Sequence, residues 1–275
     1  MNMKQLAIAL VAFAASVFSA EAAKVDSIQI PTKYLETPED VVVITPDAAA
    51  QGKHFPTVYL LNGYGGDHRA WLKVRQNLPE LADQYGMVIV TPDGRDSWYW
   101  DSPINDKMQM ESFFVNDLVP YIDSNYPTVK SPEFRAISGL SMGGQGSMYL
   151  AIRHSDIWGN AGSTSGGLDI RPFPERWKMK QSLGSIEENP QAWEDHTPIN
   201  LVKDIKPGSI NIIFDCGTDD FFADVNQNFH NELLKHGIKH DYISRPGGHS
   251  GAYWKNSILY HLLYFNEAFK KAAEK

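Results

Sequence analysis

The stretch "GLSMGGQGSMYLA", Gly139 to Ala151, lies near the middle of the chain, and its reading governs the rest. Before it runs "FRAISG" (134–139), short and apolar as a buried strand is; after Ser141 runs "MGGQGSMYLAIRH" (142–154), a helical pattern. Ser141 therefore falls on a sharp strand-to-helix turn. The apex of such a turn is forced into a strained backbone, and side chains two positions to either side would collide with the neighbouring elements. Glycine at 139 and 143 meets that demand. The spacing Gly139-x-Ser141-x-Gly143 is that of a nucleophile elbow, which lifts a hydroxyl above the end of a sheet and sets a positive helix end beneath it. A plain Gly-rich turn has the same letters, so the reading depends on partners elsewhere.

A serine hydroxyl is a poor nucleophile at neutral pH and needs a base, itself oriented by an acid. In a strand–helix architecture of this kind the acid follows the serine and the histidine follows the acid, each on a loop after a later strand. "IIFDCGTDDFFAD" (212–224) ends a strand and enters a loop holding Asp219 and Asp220. "YISRPGGHSGAYW" (242–254) ends the last strand and presents His249. Of the nine histidines only His249 lies on a loop after a strand and beyond the candidate acid. His54, His68 and His154 precede or adjoin the serine, His196 lies in an irregular segment, His230 and His236 in a helix, His240 at a strand start and His261 in the last helix. Spacing does not choose between Asp219 and Asp220.

The negative oxygen that forms during acyl transfer needs two backbone donors. One is the amide of Met142, next to the serine. The other is expected from "VYLLNGYGGDHRAW" (58–71), where glycines 63, 65 and 66 let the backbone bend the Tyr64 amide toward the site. Neither phosphate-binding fingerprint, G-x-G-x-x-G or G-x-x-x-x-G-K-[ST], occurs.

Strand-like runs appear at 41–45, 57–62, 87–92, 134–139, 209–217 and 240–245, with helical patterns around 78–85, 111–124, 142–154, 226–236 and 252–272. Gly237 closes the fourth helix. The strand runs are continuously apolar, which predicts burial on both faces and a mostly parallel sheet flanked by helices. Residues 168–206 break the rhythm: Pro172, Pro174, Pro190 and Pro198, with Phe173, Trp177 and Trp193 among them, predict an insertion over the carboxyl edge of the sheet. The loop "GRDSWYWDSP" (94–103) follows a strand and so reaches the same edge. Trp98 and Tyr99 there, with Trp177 of the insertion, are the candidate substrate contacts; packing of the loop beneath the insertion is the competing role. Asp101 reads as a loop anchor.

The 275 residues carry a formal net charge of -8 with no Lys/Arg cluster, which argues against nucleic acid as a partner. The first residues hold Lys4, an apolar run from Leu6 to Phe18 and a small-x-small site at Ala20-Glu21-Ala22. That layout predicts a signal peptide over 1–22, cleaved after Ala22, and one exported domain over 23–275 that is periplasmic or extracellular. The apolar run is shorter than a bilayer span requires, so no membrane is expected of the mature form. Cys216 is the single cysteine, which precludes an internal disulfide. No metal or organic cofactor is implied.

Taken together, "LLNGYGGDHRAWL", "TPDGRDSWYWDSP", "FFVNDLVPYIDSNYPT", "GLSMGGQGSMYLA", "CGTDDFF" and "GGHSGAYW" resemble the esterase D-like family of α/β-hydrolases, from about Val25 to Phe269. That family includes tributyrin, feruloyl and acetylxylan esterases, S-formylglutathione hydrolases and mycolyltransferases. The resemblance implies an α/β-hydrolase fold and puts the catalytic acid on Asp220, the base on His249, the nucleophile on Ser141 and the oxyanion amides on Tyr64 and Met142. Two departures stand out. Many relatives carry histidine where this chain has Asn62, and the Ser-Gly-Leu-Thr-Cys type of loop of the cytosolic S-formylglutathione hydrolases is absent. The expected activity is hydrolysis of a short-chain or carbohydrate-linked acetyl or feruloyl ester through an acyl-serine. An acyltransferase, a peptidase and a non-catalytic binding protein of the same fold are the alternatives.

Overall fold

The computed structural model describes residues 23–275, so the expected signal peptide over 1–22 lies outside the described residues. Eight strands form one sheet: β1 (Lys24–Ile30), β2 (Glu39–Thr45), β3 (Thr57–Leu61), β4 (Val88–Pro92), β5 (Arg135–Gly139), β6 (Asn160–Thr164), β7 (Asn211–Gly217) and β8 (Asp241–Arg245). Their order is β1-β2-β4-β3-β5-β6-β7-β8. Only β1–β2 and β2–β4 run antiparallel; every pair from β4–β3 to β7–β8 is parallel. This is the expected α/β-hydrolase architecture.

The strands of the middle are buried on both faces. In β3, Val58 and Leu60 pack into one apolar cluster while Tyr59 and Leu61 pack into the other, and Ala136 and Ile137 of β5 divide in the same way. Burying each large apolar side chain contributes on the order of 2 kcal/mol. Four helices cover the two faces: α1 (Leu78–Tyr85), α2 (Met142–Arg153), α3 (Ala223–Lys235) and α4 (Gly251–Ala273). Residues 110–125 add a further helical run, interrupted by a π turn at Phe114–Leu118. Gly237 follows α3 at φ 68°, in the left-handed conformation that ends helices. Ser250 caps α4 by accepting the Tyr253 amide.

Two strands lack the expected apolar signature. β1 alternates polar and apolar residues because it is an edge strand with one face in water. β6, "NAGST", is wholly buried yet built of small residues. Its neighbours come too close for anything larger: a Cβ on Gly162 would press on Ser138, His261 and Phe265. Between β6 and β7 the structure has only short helices, at Met179–Leu183, Pro190–Asp195 and Pro198–Leu201, as expected of an insertion over 168–206.

Candidate active site

Ser141 joins β5 to α2 with φ 56° and ψ -117°, a conformation that costs a non-glycine residue on the order of 1–3 kcal/mol. The surrounding backbone holds it there. Its amide donates to the Thr164 carbonyl at 3.0 Å, and its carbonyl accepts the Gln145 amide at 3.0 Å. The flanking glycines are steric necessities: a Cβ on Gly139 would overlap the Gly143 carbonyl, and one on Gly143 would overlap the Leu61 carbonyl of β3. Strand, turn and helix close on one another with no room for side chains.

Three loops at the carboxyl ends of parallel strands converge on the serine. Asp220 follows β7 and His249 lies between β8 and α4. The two loops are laced by Thr218 N–H to Arg245 O at 3.0 Å and Asp219 N–H to Gly247 O at 2.9 Å. His249 Nε2 stands 2.9 Å from Ser141 Oγ, and its Nδ1 stands 3.0 Å from both Asp220 oxygens. Asp220 Oδ1 also accepts the Phe222 amide at 2.9 Å, and the carboxylate is wholly shielded from water. Asp219 turns outward into solvent. A carboxylate on Nδ1 holds the imidazole proton there and leaves Nε2 free to take the serine proton.

The Tyr64 and Met142 amides donate to no protein acceptor among the described residues. Gly63 lies against the nucleophile, since a Cβ there would come 3.3 Å from Ser141 Cβ. The Gly63 carbonyl is fixed by Asn62 Nδ2 at 3.1 Å and Gly66 N–H at 2.9 Å. In a trans peptide the carbonyl and the following N–H point in opposite directions. Anchoring Gly63 O therefore fixes the plane of the Gly63–Tyr64 peptide, and with it the direction of the Tyr64 N–H. Asn62 is thus a hub: its Oδ1 accepts Gly94 N–H at 2.8 Å and the Tyr99 hydroxyl at 3.0 Å. An amide at this position joins the two rim loops through donor and acceptor together.

This loop geometry corrects two of the three candidate substrate contacts. Tyr99 is completely buried, its hydroxyl on Asn62 and its ring edge-on to Phe114. Trp98 is 1% exposed, stacked on Trp100 and packed on Trp177. Both support the rim from beneath, because the loop takes φ values of 56° and 65° at these residues and turns them inward. Trp177 remains half-exposed and stacks on Phe221. Asp101 anchors its loop through Ser112 N–H at 2.8 Å.

Sequence reading passed over Phe221 and Phe222, although they follow Asp220 directly in "TDDFF". The Phe221 ring lies 4.3 Å from the His249 ring, Phe222 stands edge-on at 5.6 Å and Trp254 at 5.0 Å. These rings shield the imidazole on several sides while Phe221 itself stays 51% exposed. Among the described residues no group of three or more His, Cys, Asp or Glu could hold a metal ion.

Comparison with known proteins gives this site a context. Residues 32–265 match the model of the Esterase family, described as "Putative esterase". The chain belongs to this esterase family. It is 28% identical over 218 residues to an acetyl esterase of Caldicellulosiruptor saccharolyticus, covering 75% of this chain and 81% of that one. Esterase Rv1288 of Mycobacterium tuberculosis is 24% identical over 234 residues, and the match spans 51% of its length. Among solved structures, a ferulic acid esterase superposes with a TM-score of 0.76 at 25% identity over 90% of this chain and 99% of that one. The esterase is a carboxylic ester hydrolase by family.

Proposed function

We propose that this esterase is an exported serine hydrolase that works through an acyl-enzyme on Ser141. The observation that carries the reading is the single file of Asp220, His249 and Ser141, with contacts of 3.0 and 2.9 Å, beside two amides without protein acceptors. Ser141 Oγ attacks the ester carbonyl carbon while His249 Nε2 takes its proton. The carbonyl oxygen becomes an oxyanion received by the Tyr64 and Met142 amides, each worth about 3 kcal/mol to the transition state. Collapse of the tetrahedral intermediate breaks the bond to the alcohol oxygen, which leaves with the proton from His249. Water, deprotonated by the same nitrogen, then attacks the acyl-serine and releases the carboxylic acid.

The substrate class we propose is a small ester, either a short acyl group or an acetyl or feruloyl group on a carbohydrate. The aromatic mouth of Phe221 and Trp177 and the names of the acetyl and ferulic acid esterase relatives support it. Export rests on the composition of residues 1–22.

Replacing Ser141 with Ala should abolish both the burst of p-nitrophenol from p-nitrophenyl acetate and labelling by a fluorophosphonate, with the circular dichroism spectrum unchanged. A variant that still turns over at the wild-type rate would sink the reading.

A further inference from the structure

The loop that presents Tyr64 is held at one peptide by Asn62, and the next peptide has a holder of its own. Gly65 sits at φ 71° and donates its amide to Asp96 Oδ1 at 3.1 Å. The other oxygen of that carboxylate receives the Lys178 ammonium at 3.1 Å. Lys178 belongs to the insertion, so one carboxylate joins the oxyanion loop, the 94–103 loop and the insertion. Hydrogen bonding to Asp96 holds the Lys178 ammonium above its ordinary pKa, and the Tyr64 hydroxyl lies near it.

Strain marks this junction. Trp98 and Tyr99 are consecutive left-handed residues, and so are Trp177 and Lys178, at φ 48° and 54°. Each such residue costs about 1–2 kcal/mol. The two strained pairs meet: Trp98 Nε1 reaches the Trp177 carbonyl at 3.4 Å and the indoles pack at 5.8 Å. Lys178, the residue after Trp177, reaches Asp96 from this contact. An exposed Lys–Asp pair contributes little to global stability, so its consequence is local. A charge-assisted bond to a flexible glycine amide fixes the orientation of the peptide plane it touches.

We propose that Asp96 is a positioning residue for the oxyanion hole, and that the insertion acts on catalysis through Lys178 and Asp96. This inference rests on the reading of Tyr64 as an oxyanion donor. Releasing Gly65 lets the Tyr64–Gly65 peptide rotate, which swings the preceding amide away from where the oxyanion forms. The loss falls on the transition state, because the ground-state ester does not depend on that donor.

The test compares Asp96→Ala, Asp96→Asn and Lys178→Met with wild type. Two quantities are measured: kcat and KM on p-nitrophenyl acetate, and inhibition by a trifluoromethyl ketone, whose hemiketal carries the oxyanion. The expected result for Asp96→Ala is a kcat at least about tenfold lower, a KM within about twofold, and a ketone weakened by the same factor as kcat. Asp96→Asn keeps most of the rate, since its amide oxygen still accepts from Gly65. Lys178→Met falls between them. Wild-type kcat and ketone affinity in Asp96→Ala overturn the inference, as do equal losses in the Ala and Asn variants with ketone binding intact. Should Asp96→Ala not fold, Lys178→Met decides, and wild-type values there overturn it. Ser141→Ala run alongside separates the two claims: full activity in that variant removes the acyl-serine reading itself.

Discussion

Asp219 and Asp220 are chemically identical neighbours, and spacing treats them alike. Their backbones separate them. The turn after β7 sends Asp220 inward, where its amide donates to Gly217 O at 3.1 Å and its carboxylate faces His249, while Asp219 spends its own amide on Gly247 and points to water. The family resemblance favours Asp220, and Asp220 is the one whose carboxylate lies 3.0 Å from His249 Nδ1. Asp220→Asn is expected to lower kcat on p-nitrophenyl acetate by roughly ten-thousandfold, because the amide donates to Nδ1 and holds the wrong tautomer. Asp219→Asn is expected to stay within about threefold. Comparable losses in both variants would contradict the assignment. A second Ser–His–Asp chain shows why geometry alone does not make a catalyst. Ser138 Oγ lies 2.8 Å from His261 Nδ1, and His261 Nε2 lies 3.1 Å from Asp215. All three are buried to 1% exposure or less, and Ser138 sits within regular strand rather than on a strained turn. No ester can reach it. In the sequence His261 is set aside by its place in the last helix rather than on a loop after a strand, and burial supplies the deeper reason.

Glu111 shows how one buried charge joins elements that the sequence leaves separate. It begins the helical run 110–125, is 6% exposed, and takes the Tyr149 hydroxyl at 2.6 Å, Arg153 Nε at 2.7 Å and His154 Nε2 at 2.7 Å, all from α2 or its end. Burial raises its pKa, but the three hydrogen bonds and the Arg153 charge outweigh burial and bring it down from 4.5 to about 2. A carboxylate depressed in the folded state stabilises it above the unfolded pKa, and the contribution disappears as pH falls from about 4.5 toward 2. The shift corresponds to about 3 kcal/mol. Urea unfolding at pH 7 should therefore find Glu111→Gln less stable by about that amount, with the gap narrowing as the pH is lowered through 4 to 3. A gap that stays constant with pH would refute the linkage. None of this network was legible beforehand, because partners 38 to 43 residues apart leave no periodic trace. The π turn at Phe114–Leu118 was hidden for a different reason, since it lies inside a run that reads as ordinary helix.

Across the chain, legibility followed the hydrophobic pattern. Six strands and the long helices announce themselves by apolar runs that the two clusters on either face of the sheet require. β1 and β6 do not, one for having a wet face and the other for lacking room for branched side chains. The convergence of Ser141, Asp220 and His249 was legible because an elbow, an acid loop and a histidine loop all have to lie at the carboxyl ends of parallel strands. The inward turn of Trp98 and Tyr99 was not, since nothing in "GRDSWYWDSP" tells which rings the loop buries. The start of the described chain carries the last prediction. Asp83 of α1 receives the Ala23 amide on Oδ2 at 2.9 Å and the Asp47 amide on Oδ1 at 2.8 Å. Cleavage after Ala22, as the leader reading expects, converts the Ala23 amide into an α-ammonium facing the same carboxylate. A hydrogen bond to a charged donor is worth about 1.5–3 kcal/mol, against about 1 kcal/mol for a neutral one. Protein recovered from the exported fraction should begin at Ala23 by intact mass, and Asp83→Asn should destabilise it more than it destabilises a chain that keeps extra residues ahead of Ala23. A mass that retains the leader, or an equal cost of Asp83→Asn in both forms, would remove the ammonium from the account and leave Asp83 as the acceptor of two ordinary amides.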